Sequence, residues 1–302
     1  MPRVSYDPIV VPAKDLSVKL KNRKFSLVWI LLLLIVLVAA YFRLASLNLA
    51  EFKGDEAGSS FILRALVQQE KVPLTGPPLT TGGNAGPIYY YILAVPSLVS
   101  TNPIVASAFI AAVNVVGVAF TFKLASEFFN ERVALIATAL GAVSPFAILF
   151  SRKMWNPDLV FPITVVLFYC LYSFVIKSRS KYLVPVFVAY AIVLQVHPIT
   201  LFLAPVIVLF LWRFRSRIQS KHLLIGIAVS LILFAPFIYG ESTRNFSETG
   251  SFASTLRDFG NPNLSVISLI SSDTSGMGFD YVLGSSAPSF FSSSYTADGT
   301  TR

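Results

Sequence analysis

Pro87-Ile88-Tyr89-Tyr90-Tyr91-Ile92-Leu93-Ala94-Val95-Pro96-Ser97-Leu98-Val99 is an apolar run of 13 residues, and the side of the membrane on which every later loop falls depends on whether it crosses. A bilayer core of about 30 Å needs about 20 apolar residues in a helix, so a run this short reads as re-entrant or interfacial. The charges downstream support that reading. Further apolar runs cover about 104–122, 133–150, 159–176, 182–196, 198–212 and 222–240. Between them, 123–132 carries Lys123 and Arg132, 177–181 carries Lys177, Arg179 and Lys181, and 213–221 carries Arg213, Arg215, Arg217 and Lys221, whereas 196–198 is only Val-His-Pro. If 87–99 does not span, the basic arm at 1–24 and these three loops share one side, as the positive-inside rule requires. If it does span, the two strongest basic clusters are pushed outside. The sequence therefore predicts about seven transmembrane helices, the first at 25–47. The N-terminus is cytoplasmic, and a first outer loop at 50–103 carries two juxtamembrane helices.

The composition agrees. Of the 302 residues 55% are hydrophobic and 13% charged, with a formal net charge of +9 and a mean hydropathy of +0.69. Soluble domains carry about 25% charged residues, so the chain reads as a polytopic membrane protein; an all-α fold and a place in the cell (plasma) membrane are expected. The basic excess sits in short clusters between apolar runs, which argues against a nucleic-acid partner. The single cysteine, Cys170, lies within an apolar run, which excludes an intrachain disulfide framework and suggests no metal cluster. The first run follows Lys19-Leu20-Lys21-Asn22-Arg23-Lys24 like a secretory signal. It continues to Leu49 with only Arg43 interrupting, however, longer than a signal core, and reads as an uncleaved span. The chain thus divides into a cytoplasmic basic arm at 1–24, a membrane module at 25–240 and an extracytoplasmic tail at 241–302. The tail is rich in Ser, Thr and Gly and is either a lid or poorly ordered.

Beyond the first run stands Glu51-Phe52-Lys53-Gly54-Asp55-Glu56-Ala57-Gly58. Two adjacent carboxylates beside a membrane span are costly to desolvate and mark a candidate site. Asp55 also suits a helix N-cap, with the helix running to about residue 70, and capping alone is the competing explanation. The arms 182–196 and 198–212 are each about 15 residues, or about 22 Å, short of the bilayer core. The turn at His197-Pro198 is therefore expected below the outer surface, sinking His197 into the protein.

This topology collects Asp55, Glu56, Asn84, Tyr89, Tyr90, Arg152, Lys153, Trp155, Asp158, His197 and Arg244 on the outer face. Such a set suits group transfer from an anionic lipid-linked donor: a carboxylate takes a proton from an acceptor hydroxyl, while Arg or Lys holds the leaving phosphate. Adjacent residues do not share a helix face, so Asp55 and Glu56 have different roles. Asp55 is expected to be the base and Glu56 to orient it or pair with a cation. The competing readings are that Arg152 and Lys153 are interfacial snorkellers and that the tyrosines and Trp155 are aromatic-belt anchors. No metal is assigned: His197 lacks a second ligand at fixed spacing, so a divalent metal is the weaker alternative, and no other cofactor is expected.

In this arrangement the chain resembles the GT-C superfamily of polyprenyl-phosphate-sugar-dependent glycosyltransferases. It is most similar to bacterial relatives of the protein O-mannosyltransferases and the lipid A aminoarabinose transferases. The matching pieces, over about residues 40–240, are Gly54-Asp55-Glu56, Gly86-Pro87-Ile88-Tyr89-Tyr90-Tyr91, Ser144-Pro145 to Ser151-Arg152 with Asp158, and His197. The resemblance implies a seven-span module and catalytic roles for Asp55, Glu56 and Asp158. It further implies a donor or acceptor contact at Arg152; beside it, the chemistry of the outer face makes Lys153, Tyr89, Tyr90 and Arg244 expected donor or phosphate contacts and Asn84, Trp155 and His197 expected cavity residues. The implied partners are a polyprenyl-phosphate-linked sugar, an extracytoplasmic glycan, lipid or protein acceptor, and membrane lipids. The aminoarabinose transferases have an acid and a lysine where this chain has Asn84-Ala85-Gly86, so neither a metal nor a lysine clamp is implied there. Family members continue through more spans than this chain, which implies a truncated member. The rival readings are a non-catalytic remnant or assembly subunit, and a transporter of lipid-linked substrates. A transporter would place charges at mid-bilayer and show repeat symmetry.

Overall fold

The computed structural model describes residues 27–79 and 83–258. The arm at 1–24 and the tail beyond residue 258 lie outside the described residues. Within them the chain is helical, with one isolated antiparallel bridge, Pro78 to Asn84, and no strand.

Four helices are long and apolar enough to cross a membrane: α1 (Leu27–Leu44), α4 (Pro103–Phe128), α7 (Val160–Ile176) extended by a 3-10 turn at Asn156–Leu159, and α10 (Ser220–Thr243). The other elements are α2 (Gly54–Gln69), α3 (Ile88–Ser97), α5 (Glu131–Val143), α6 (Pro145–Leu149), α8 (Leu183–Val196), α9 (Ala204–Arg213) and α11 (Ser247–Asp258). α4 packs against α1, α5 and α7, while α8 packs between α7 and α10. α1 buries only Ala39 and Arg43. Ile35 packs against the small core of Ala39, Val118 and Ala142, and the exposed leucines, such as Leu33, Leu34 and Leu37, face outward at no cost, because lipid tails are as apolar as they are.

The expected span at 133–150 is interrupted. Pro145 has no backbone N–H and ends α5, leaving late carbonyls of that helix without intrahelical donors. Arg43 fills them: Nη2 donates to Gly141 O at 2.8 Å and Nη1 to Ala142 O at 3.0 Å. Ser144 then starts α6, its hydroxyl accepting from Ala147 N.

The hairpin has the expected two short arms. α8 ends at Val196, and Pro198 begins a 3-10 stretch, Pro198–Leu203, that leads into α9. The open carbonyls of α8 find donors from distant segments, Gly86 N to Gln195 O and Asn156 Nδ2 to Val196 O, both at 2.8 Å. Only glycine fits at 86, because a Cβ there would stand 2.6 Å from the Gln195 side chain.

At ten residues α3 is shorter than a bilayer crossing needs. Its Ile88, Tyr89, Tyr90 and Leu93 sit in a core built with Leu63, Ile110, Met154, Leu159 and Val196. Tyr89 is fully buried and Tyr90 nearly so, which removes the aromatic-belt reading for both: they are core side chains inside the protein. A second core joins Leu167, Phe174, Leu183, Val186 and Ile207 at the other end of the bundle.

Candidate active site

The polar groups gather where α1 stops. A 3-10 turn at Leu47–Leu49 and an extended link lead to α2. The N-cap of α2 is Lys53, not Asp55, because Glu56 reaches back three residues and its Oε2 accepts from Lys53 N at 2.9 Å. This half of a capping box satisfies a donor that the helix start leaves open. Asp55, in the first turn, is exposed, while Glu56 is 3% exposed. The two neighbours therefore occupy opposite environments.

A cavity of about 380 Å³ opens beside this turn, lined by Leu49, Ala50, Glu51, Lys53, Leu149, Arg152 and Lys153. Three of its side chains are cationic and one is a carboxylate. Arg152 donates to the carbonyls of Phe42, Ala45 and Ser46, closing the end of α1. Carbonyls do not cancel its charge as a carboxylate would. Lys153 Nζ pairs with Glu51 Oε2 at 2.9 Å and lies over the rings of Trp155 at 4.7 Å and Phe150 at 5.0 Å. Glu51 also pairs with Lys53. Hydrogen bonds from Lys53 and then Lys153 hold the Glu51 carboxyl below its ordinary range, against the opposing effect of burial.

Asp158 does not line this cavity. It is 4% exposed, on the 3-10 turn before α7, and neither carboxylate oxygen has a hydrogen-bond partner among the described residues. Asn114 of α4 holds its backbone, Nδ2 donating to Asp158 O at 2.9 Å. Burial pushes the Tyr89 phenol well above its ordinary range, with the Asp158 charge adding to it and Ser59 opposing. Burial likewise raises Tyr90, with Ser59 opposing and the Asp55 charge adding. Of the residues expected at the site, Arg152 and Lys153 line the cavity, while Glu56, Tyr89, Tyr90 and Asp158 are buried in the protein.

Asn84 and Arg244 belong to a different cluster. Asn84 Nδ2 donates to Glu248 Oε1 at 2.8 Å, and Arg244 Nη1 lies 3.6 Å from the same oxygen and 3.2 Å from Thr75 Oγ1. Glu241, 2% exposed, accepts from Thr249 N and Thr249 Oγ1, which ties the start of α11 to α10. His197 is half-buried at its turn, its Nδ1 accepting from Ile199 N at 3.4 Å. Burial lowers its pKa. Among the described residues no group of three or more His, Cys, Asp and Glu side chains is placed to hold a metal ion.

Sequence reasoning passed over Glu51, Arg43, Asn114 and Glu248. A charge next to the Gly54-Asp55-Glu56 turn was a usable signal for Glu51. The other three act through partners distant in the chain.

No curated protein matches the chain significantly. A family profile does match, over residues 84–239, more than half of the chain. It begins at Asn84 and takes in Arg152, Lys153 and Asp158, with Asp55 and Glu56 upstream of it. With the all-helical membrane fold and the cationic cavity, that match makes the chain a membrane glycosyltransferase of the GT-C type, and it belongs to the dolichyl-phosphate-mannose-protein mannosyltransferase family.

Proposed function

We propose that the protein moves a sugar from a polyprenyl-phosphate donor to a hydroxyl of a glycan, lipid or protein on the extracytoplasmic side of the cell membrane, with the N-terminal arm in the cytoplasm. The observation that carries this reading is the cavity in which Lys53, Arg152 and Lys153 converge, within one helical turn of the exposed Asp55. A lipid-linked phosphate presents two or more oxygens to such a set, and the neighbouring apolar faces of α1 accept lipid.

In the reaction, Asp55 takes the proton of the acceptor hydroxyl as that oxygen bonds to the anomeric carbon. On the opposite face the bond from that carbon to the phosphate oxygen breaks, and its electron pair stays on the phosphate. The products are the inverted glycoside and polyprenyl phosphate. Lys153 and Arg152 meet the charge that builds on the leaving oxygen, a placement that stabilises the transition state more than the ground state. Glu56 holds the first turn of α2 and thereby aims Asp55. Asp158, buried and anchored through its backbone by Asn114, braces the turn before α7. Tyr89 and Tyr90 form the packed floor, and Asn84, Arg244 and α11 border the acceptor side.

The test is transfer of radiolabelled sugar in membranes from a panel of polyprenyl-phosphate sugars, comparing the protein with Asp55→Asn. A general base contributes about 10²–10⁴-fold, so the variant should lose at least about a hundredfold with insertion unchanged. Full activity of inserted Asp55→Asn would remove Asp55 from the mechanism, and no transfer from any donor would remove the reading as a whole.

A further inference from the structure

Glu51 lies on the extended link before α2, outside any helix, and bridges two ammonium groups of the cavity. Its Oε2 stands 2.9 Å from Lys153 Nζ, and its Oε1 pairs with Lys53. A single carboxylate thus engages two of the three cations that line the cavity, one oxygen to each. This is the pattern in which the two free oxygens of the donor's phosphodiester would engage them. The pairing is partly open to solvent, the Glu51 side chain being 26% and the Lys153 side chain 12% exposed. Ion pairs of that exposure contribute little, so the bridge adds little to holding the fold. Lys153 does not depend on it for position, because the Phe150 and Trp155 rings hold it from other directions. Arg152 donates to carbonyls at the end of α1 and not to Glu51, so its charge still faces the cavity.

We infer that Glu51 is a resident stand-in for the donor phosphate. In the empty cavity its carboxylate occupies the Lys53 and Lys153 ammonium groups. An incoming lipid-linked phosphate displaces it, and Glu51 closes back on Lys153 as the polyprenyl phosphate product departs. The inference rests on the proposed function and adds a residue to it. Glu51 is a positioning residue: it touches neither the sugar nor the acceptor and acts through Lys153. It weakens phosphate binding and speeds release of the product. A purely structural ion pair would do neither, since its loss would weaken binding by loosening the cavity.

The experiment measures binding of undecaprenyl monophosphate to the full chain in detergent, for the protein itself, Glu51→Gln, Glu51→Asp and Lys153→Gln. Removing a competing carboxylate at a partly exposed site should tighten binding about fivefold in Glu51→Gln. Glu51→Asp, one methylene shorter, should gain a smaller factor and serves if Glu51→Gln does not fold. Lys153→Gln should lose binding at least about tenfold. With a donor that supports transfer, Glu51→Gln should lower KM and also lower kcat, because product leaves more slowly. Unchanged or weaker binding in both Glu51 variants, with loss in Lys153→Gln, overturns the stand-in role and leaves the phosphate cavity in place. No binding by the protein or by any variant overturns the cavity as a phosphate site, and the stand-in role with it.

Discussion

Arg43 closes α5, and Arg152 closes the helix that carries Arg43. From α1, Arg43 donates to Gly141 O at 2.8 Å and Ala142 O at 3.0 Å at the end of α5. From the segment after α6, Arg152 donates to Ala45 O at 2.6 Å and Ser46 O at 3.0 Å at the end of α1. One wall of the cavity is therefore also the tie that holds the end of α1. Arg43→Met leaves two carbonyls without donors at a site where the arginine is 1% exposed. A buried unsatisfied group costs about 1–3 kcal/mol, so about 2–4 kcal/mol of stability should be lost, read as earlier thermal unfolding in detergent. Arg43→Lys, which lacks the fork, should recover part of it.

Glu56 is assigned to the start of α2 and not to the chemistry, and its amide and alanine variants separate the two. Glu56→Gln keeps an oxygen that accepts from Lys53 N and should retain stability and most transfer. Glu56→Ala removes the acceptor and should cost about 0.5–2 kcal/mol, with transfer falling as Asp55 loses its aim. Equal loss of transfer in both variants, with stability intact, would instead make the charge itself catalytic.

His197 gives the hairpin turn a pH dependence. Burial lowers its folded pKa below the ordinary 6.5, so the unfolded chain takes up a proton first as pH falls. Its contribution is complete above about pH 6.5 and is lost as pH drops through the folded value. Thermal unfolding should shift down more steeply between pH 7 and pH 5 in the protein than in His197→Gln, and parallel profiles would show that His197 is not the group responsible.

Sidedness is tested at Ser178, in the loop between α7 and α8 beside Lys177 and Arg179. In a Cys170→Ala background, Ser178→Cys should resist a membrane-impermeant maleimide on intact cells and react once they are permeabilised. Labelling of intact cells would invert the proposed orientation.

What could be read from the chain was what local chemistry decides. The ten-residue α3 followed from the shortness of 87–99 and the charges beyond it, and the helix after Gly54 from the turn signal there. The N-cap assignment slipped by two residues because the chain is already helical at Gly54, and Glu56, three residues past Lys53, reaches back to accept from Lys53 N. Tyr89 and Tyr90 read equally well as interface anchors, since burial is set by α2, α4 and α8 packing around them. The break at Pro145 had a local cause, yet its remedy, Arg43, lies in another helix. Asn84 and Glu248 meet only because α11 folds back over the loop before α3.

The reach of Arg43 also bears on how the protein is made. Its acceptor carbonyls lie 98 and 99 residues further along the chain. At about 5–20 residues per second, a ribosome delivers them about 5–20 s after the arginine itself. Through that interval the guanidinium, one residue from the end of the first helix, is met by water or lipid headgroups instead. Its lasting acceptors exist only once α5 has emerged and Pro145 has ended it.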